Sequence, residues 1–70
     1  EVDLVIERGH ELVAIEIKAS RRPSSRDARH IRTFRDEYPD RFRGGLLLHD
    51  GEDRFWVDED VLAVPWEAML

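Results

Sequence analysis

The sequence predicts an α/β fold in which a mixed β-sheet packs against one main helix. Three observations predict it: segments rich in Val, Ile and Leu stand at both ends of the chain, one segment between them has a helical apolar period, and Gly and Pro mark the boundaries. The 70 residues include no cysteine, so we expect one domain, residues 1–70, whose core is stable without disulfides or a cysteine-bound zinc ion. The expected order is β β α β β β with a short C-terminal helix.

The first two strands are predicted over residues 2–7 and 11–18, as a hairpin around Gly9. Side chains alternate along a strand, so Glu16 and Lys18 extend an otherwise apolar face of the second strand. A two-residue loop at Arg8 and Gly9 would put Asp3 on that same face, as would a four-residue loop, whereas a three-residue loop would turn Asp3 to the opposite face. The position of Asp3 beside Glu16 therefore depends on an even loop.

The predicted helix follows Pro23, where Ser24 and Asp27 have the spacing of a capping box. Pro39 ends it. One apolar stripe runs along this helix, formed by Ala28, Ile31, Phe34 and Tyr38. The stripe indicates a helix that packs on the sheet.

Three further strands are predicted around the segments 46–48, 54–57 and 61–64, with a turn at Asp50 and Gly51 and the closing helix beginning at Pro65. In so small a domain we expect Trp56 and Trp66 to be core residues rather than platforms for nucleic-acid bases. The three histidines have no metal-ligand spacing and are expected in turns or on the surface; they are His10, His30 and His49.

Charge is segregated along the chain, whose formal net charge is −5. Between Lys18 and Arg43, nine Lys and Arg stand against four Asp and Glu. Arg22, Arg26 and Arg29 occupy the start of the helix, where they could guide a nucleic-acid backbone. The alternative is that they form salt bridges with acidic residues of the same helix.

Asp3, Glu16 and Lys18 are the candidate catalytic residues. Across the predicted hairpin, Asp3 and Glu16 are diagonal neighbours whose carboxylates can converge on Mg²⁺ or Mn²⁺, which prefer oxygen ligands. Lys18 could then position or deprotonate a water that attacks a phosphodiester. The alternative is a solvated Glu–Lys pair at a strand end.

An Asp on one strand, a hairpin, then Glu-x-Lys and a helix resembles the PD-(D/E)XK superfamily, the restriction-endonuclease-like fold. Nearly the whole chain is similar to the C-terminal domain of unknown function in prokaryotic AAA-type ATPases. The resemblance implies that Asp3 and Glu16 are metal ligands, with the carbonyl of Ile17 as a further ligand, and that Lys18 is the catalytic lysine. It also implies a Mg²⁺- or Mn²⁺-dependent site acting on nucleic acid, joined to an ATPase module of the same parent chain.

The chain departs from that pattern in two ways. The first helix and strand of the superfamily core are absent, and there is no Walker motif for ATP. We therefore expect a truncated core, an excerpt of a larger ATPase that is inactive by itself. The alternative function is a catalytically silent accessory domain for nucleic-acid, partner or self-association, and an uncovered sheet face would favour a homodimer.

We expect a cytoplasmic protein without a membrane span, since cysteine is absent and the longest apolar runs are much shorter than the roughly 20 residues of a membrane helix.

Overall fold

The computed structural model describes residues 1–69 and has the predicted architecture, a five-stranded mixed sheet with one α-helix. In chain order the elements are β1 (Leu4–Arg8), β2 (Glu11–Ile17), a 3₁₀ turn (Ser25–Ala28), α1 (Arg29–Glu37), β3 (Phe42–His49), β4 (Phe55–Asp58), β5 (Val61–Pro65) and a closing 3₁₀ turn (Trp66–Met69). Within residues 1–69, no helix has the length and apolar character needed to cross a membrane.

The strands lie in the order β1-β2-β3-β5-β4. The three central strands, β2, β3 and β5, run parallel, while β1 and β4 pair antiparallel with β2 and β5 at the two edges. The helix is part of the connection between the parallel strands β2 and β3, which is the usual role of a helix beside a parallel pair. The C-terminal ends of β2 and β3 therefore lie next to each other at the same end of the sheet.

One side of the sheet, which we call the covered face, packs against the helix. Its core residues are less than 1% exposed, and they are Ala14, Leu47, Val61 and Ala63 from the sheet with Ala28 and Ile31 from the helical segment. Gly45 allows the close approach, because a Cβ atom at this position would lie 2.5 Å from Ile31 Cγ2. The predicted apolar stripe is confirmed at Ala28, Ile31 and Phe34, whereas Tyr38 at its end is 41% exposed.

The opposite side, which we call the open face, has no helix against it among residues 1–69. Strand register aligns one apolar residue from every strand in a row across this face. From β1 to β4 the row is Leu4, Ile15, Leu46, Leu62 and Trp56. Its middle member, Leu46, is half-buried, and the outer members Leu4 and Trp56 are 55% and 66% exposed. The expectation that Trp56 and Trp66 are core residues is wrong, since Trp56 stands on the uncovered side of an edge strand and Trp66 is 45% exposed.

The turns follow the sequence with small shifts. The hairpin loop has two residues, one of the even lengths considered, and they are Gly9 and His10 instead of Arg8 and Gly9. Gly9 has the positive φ of 61° that a glycine adopts easily. At the start of the helical segment, the carboxylate of Asp27 accepts the Ser24 backbone N–H at 2.8 Å, in agreement with the predicted cap. Pro65 ends β5 instead of beginning the closing turn.

His49 differs from the expectation of a turn or surface histidine, because its side chain is fully buried on the covered face. Its Nδ1 atom accepts the Gly51 backbone N–H at 3.0 Å, and its Nε2 atom lies 2.8 Å from the Asp53 carbonyl oxygen. Both ring nitrogens are thus satisfied by the turn that follows β3. Gly51 packs so tightly on the segment after β2 that a Cβ there would lie 1.9 Å from the Arg21 carbonyl oxygen.

Candidate functional site

The centre of the candidate site is Glu16, one residue before the end of β2 and on the covered face. Its side chain is only 5% exposed, because β3 flanks it at Leu47 and the helix lies above it. A carboxylate in such surroundings loses most of its hydration and needs compensating partners. Two are present at one oxygen: Lys18 Nζ lies 3.2 Å from Oε2, and His30 Nδ1 lies 3.3 Å from the same atom.

The second carboxylate oxygen of Glu16 is not compensated. Oε1 is buried and has no hydrogen-bond partner among residues 1–69. An unsatisfied buried polar atom carries a free-energy penalty of about 1–3 kcal/mol and is rare in native structures. Within the described residues it is also the only buried side-chain oxygen or nitrogen in this condition. Oε1 is therefore the atom at which an additional ligand would relieve the largest local cost.

Asp3 lies across the hairpin from Glu16. The observed register pairs Leu4 with Ile15, where the predicted register paired Leu4 with Val13, and the ladder ends there. Asp3 lies just before β1, and its backbone N–H bonds to the Ile15 carbonyl at 3.0 Å. The Asp3 carboxylate is exposed, and its Oδ2 atom accepts the Ile17 backbone N–H at 2.8 Å. Asp3 thus extends the strand pairing by one bond through its side chain.

Lys18 and Ile17 complete the predicted set. Lys18 follows the last residue of β2, where its backbone N–H bonds to the Leu48 carbonyl at 2.8 Å and fixes the base of its side chain. Its side chain is 31% exposed, so the ammonium group borders both Glu16 and solvent. Ile17 points its side chain to the open face and is 60% exposed there.

His30 was missed by sequence reasoning. It stands in the first turn of α1, and the packing of Ile31 against Gly45 brings it over the end of β2. Besides Glu16, its Nδ1 atom contacts the α-ammonium group of Glu1 at 2.9 Å. Its position one residue before the buried Ile31 was the available signal, since neighbours of an inward-facing helical residue lie at the border of the core.

The charges of the basic middle segment are mostly paired. Seven of its nine cations form ion pairs with acidic residues from the rest of the chain, as Arg35 does with Asp60 at 3.1 Å and Arg22 with Asp53 at 3.3 Å. Arg26 and Arg29 are the two without an ion pair within residues 1–69, and both are exposed. The three arginines predicted to contact nucleic acid therefore differ in their surroundings. Arg26 and Arg29 have no ion pair within residues 1–69, whereas Arg22 is paired with Asp53 and also stacks over the Phe55 ring at 4.4 Å.

The family model described as a domain of unknown function, DUF4143, matches residues 1–69. The chain belongs to the DUF4143 family. No curated protein and no solved structure matches it. The similarity to a domain of unknown function is thereby confirmed, whereas the wider PD-(D/E)XK superfamily and the ATPase module stay predictions.

The DUF4143 site offers two carboxylates to a divalent cation. Within residues 1–69, no group of three His, Cys, Asp or Glu side chains is arranged to hold a metal ion. Glu16 Oε1 is a buried oxygen without a partner, and Asp3 supplies a second carboxylate across the hairpin. Mg²⁺ commonly binds through one or two carboxylates and keeps several waters. A site of that kind would take its carboxylates from Glu16 and Asp3 alone.

Proposed function

We propose that this DUF4143 domain is nuclease-like, with a Mg²⁺- or Mn²⁺-dependent site for phosphodiester hydrolysis in nucleic acid. The observation that carries the proposal is Glu16, a buried carboxylate with one unpartnered oxygen among residues 1–69, next to Lys18 and one residue before Ile17, whose backbone N–H binds the Asp3 carboxylate. Burying a carboxylate without a full set of partners is costly. Its retention in a folded protein therefore points to a role that outweighs the cost. Attachment to an AAA-type ATPase module in a longer chain is part of the proposal.

In this proposal Asp3 and Glu16 hold the cation, with the carbonyl of Ile17 as a further ligand. When bound, a divalent cation supplies positive charge to the phosphate and lowers the pKa of coordinated water. The Asp3 carboxylate is held in place by the Ile17 N–H, and burial on the covered face fixes Glu16. Lys18, fixed at its base by Leu48, orients water or a phosphate oxygen at the solvent border.

Arg26 and Arg29 are the residues proposed to bind the nucleic-acid backbone. Both are exposed and have no ion pair among residues 1–69, so their guanidinium groups are available to phosphates. Arg22 is proposed as a weaker contact, because a phosphate would compete with Asp53 for it.

The experiment is a Mn²⁺ titration followed by NMR line broadening, on the wild type and on an Asp3→Asn, Glu16→Gln double variant. The expected result is selective broadening around Asp3, Glu16 and Ile17 that disappears in the double variant. The matched control is an Asp50→Asn, Glu52→Gln variant, which removes the same charge from an exposed turn and should keep the broadening. Diffuse broadening that the double variant leaves unchanged contradicts the metal site.

Cleavage is tested on the domain within its longer chain, with supercoiled plasmid DNA and with RNA in Mg²⁺. Lys18→Met should lower the cleavage rate by about 10²-fold or more, because general acid–base and positioning groups contribute on that scale. Arg21→Met is the control, since Arg21 is a neighbouring cation paired with Glu52 in an exposed position. Equal rates for both variants would contradict the role of Lys18.

The second candidate function is a catalytically silent accessory domain that associates with a second copy of itself. The open face favours it, because this apolar sheet surface continues into a cavity of about 390 Å³ that includes Leu46, Trp56 and Leu62. The lining of the cavity includes charges of both signs, Arg43 together with Glu59 and Asp60. A mixed lining of this kind can pair with itself across a two-fold axis.

Sedimentation equilibrium tests the second candidate. Concentration-dependent dimerisation that Leu62→Lys abolishes and Tyr38→Lys retains would support it, since Tyr38 is an exposed aromatic residue at the end of the helix. A monomer at all concentrations contradicts it.

A further inference from the structure

Strand β1 is exposed on both of its faces and lies at one edge of the sheet. Its apolar residues Leu4, Val5 and Ile6 are 55%, 38% and 47% exposed. The other edge strand, β4, has a break in its register, which is one way in which proteins prevent an edge from pairing with another chain. The pairing of β1 with β2 has no such break, and β1 contains no proline. This edge therefore has the open backbone and the apolar surface that a further strand requires.

Every second residue of β1 directs its backbone groups away from the sheet. On the other side of β2, the N–H groups of Leu12 and Lys18 bond to carbonyl groups of the β3 segment at 2.8 Å, so the even-numbered residues of β2 face β3. Since this direction alternates along a strand, the odd-numbered residues of β2 face β1, where they pair with its even-numbered residues. The N–H and C=O groups of Val5 and Glu7 therefore point outward, and no strand within residues 1–69 pairs with them.

A second copy of β1 fits these outward groups. Two β1 strands can pair antiparallel about a two-fold axis that is perpendicular to the sheet and passes beside Ile6. The outward groups of Val5 then meet those of Glu7 in the second copy, which gives about four backbone hydrogen bonds. In the same register Leu4 lies opposite Arg8 of the second copy, so the methylene groups of the charged side chains cover apolar neighbours.

The charges of the strand favour this register over its neighbours. A shift by two residues in one direction would place Asp3 opposite Glu7 of the second copy, and a shift in the other direction would place Glu7 opposite itself. Like charges directly opposite each other destabilise a strand pair. With Ile6 beside the axis, no like charges face each other between the two strands. Glu7 is already paired with Arg41, so its approach to the second copy leaves no unpaired charge.

We propose that β1 is the contact between two copies of this chain, which pair antiparallel through this strand and join their five-stranded sheets into one continuous sheet. The inference goes beyond the proposed function, because it does not depend on the metal site. It also differs from association through the open face, since the open faces of the two copies lie side by side instead of against each other. The strands are short, so we expect a weak dimer whose population rises with concentration.

The test uses single cysteines, because the chain has none of its own. In the proposed register Ile6 stands opposite itself in a non-hydrogen-bonded pair, where the Cα atoms are about 4.5 Å apart and within the range of a disulfide. Under mild oxidation of the full chain, Ile6→Cys should form a disulfide-linked dimer about tenfold or more faster than Leu4→Cys. Leu4→Cys is the matched control, since Leu4 has similar exposure on the same face but lies about 14 Å from its own copy.

Amide hydrogen exchange of the wild type gives a measurement that needs no variant. The N–H groups of Val5 and Glu7 should exchange about tenfold more slowly at high protein concentration than at low concentration, because only the dimer gives them a partner. The N–H of Ile6 is the internal control. It faces β2 in both states and should exchange at the same rate at both concentrations.

Equal cross-linking of Ile6→Cys and Leu4→Cys, or exchange at Val5 and Glu7 that does not change with concentration, overturns the proposal. Leu62→Lys separates the edge contact from association through the open face, because Leu62 lies on β5, away from β1. An Ile6→Cys, Leu62→Lys double variant should cross-link as fast as Ile6→Cys. Loss of cross-linking in the double variant would assign the contact to the open face and overturn the edge contact.

Discussion

The covered and open faces of the sheet are built from neighbouring residues of the same strands, yet they differ in what they bury. On β3, Leu47 is fully buried under the helix, while Leu46 and Leu48 on the open face are half-buried. The covered face nevertheless holds both buried polar residues of the described chain, Glu16 and His49. The open face is the more apolar one, and it is exposed at Leu4 and Trp56 while Ile15 and Val64 on the same face are buried.

The largest expected effect comes from truncating one leucine on each face. Leu47→Ala should lower the free energy of unfolding by about 2–5 kcal/mol, because it removes a buried side chain and leaves a cavity. The neighbouring Leu48→Ala is the matched control and should cost about 1 kcal/mol, since the open face already shares its side chain with water. Urea unfolding followed by circular dichroism measures both. Equal losses would mean that the open face is covered in solution.

The two buried polar residues differ in their hydrogen bonding. Both ring nitrogens of His49 have partners, whereas Oε1 of Glu16 has none among residues 1–69. His49→Phe keeps an aromatic ring next to Phe55 but leaves the Gly51 N–H and the Asp53 carbonyl without their partner. The expected cost is about 2 kcal/mol of unfolding free energy. His10→Phe, in the exposed turn, should be close to neutral. A neutral His49→Phe would show that water replaces the ring nitrogens in this turn.

A substitution at Glu16 is expected to raise the free energy of unfolding instead of lowering it. Glu16→Met removes a poorly compensated buried carboxylate and fills a similar volume, and Lys18 and His30 are exposed enough to hydrate. The free energy of unfolding should rise by about 1 kcal/mol while Mn²⁺ binding is lost. A stability gain together with a functional loss is the signature of a residue kept for chemistry. If Glu16→Met unfolds the domain instead, the carboxylate has a structural role.

The smallest expected effect is at Asp58, which ties β4 to the helix through Arg32. Its pKa is lowered from the ordinary value of 3.8, first by the Glu59 backbone N–H and then by Arg32. A lowered pKa in the folded state contributes stability above the ordinary pKa, and that contribution is lost as the pH falls through the folded value. Asp58→Asn should therefore flatten the acid limb of the stability curve below about pH 4, which Asp50→Asn should not do.

Much of the fold was predictable from local signals. The order of elements, the Asp27 cap, the apolar stripe on α1 and the two-residue hairpin loop all follow from spacing and turn residues. The one-residue shift of the loop could not be predicted, because Arg8-Gly9 and Gly9-His10 would both place a glycine in the tight turn. The shift preserves side-chain alternation and moves the partner of each β1 residue by two positions, so that Leu4 pairs with Ile15.

The errors have a common physical origin in long-range packing. Trp56 has the side chain of a core residue, and only the position of β4 at the sheet edge, on the open face, leaves it in water. His49 looks polar in the sequence, and only the turn that folds back over it supplies the two partners that allow burial. His30 acquires its importance from its contact with Glu16, 14 residues away in the sequence. Such pairings cannot be read from a local pattern.

The ion pairs formed by the cations of residues 18–43 affect how a polyanion would approach the molecule. With seven of nine cations already matched by acids and a formal net charge of −5, the molecule should give DNA or RNA no favourable electrostatic steering. Two phosphates held by Arg26 and Arg29 would release few counterions, giving a slope of log affinity against log salt of about −2. A nucleic acid would therefore gain little from long-range attraction, and a fourfold rise in salt would weaken its binding about 16-fold.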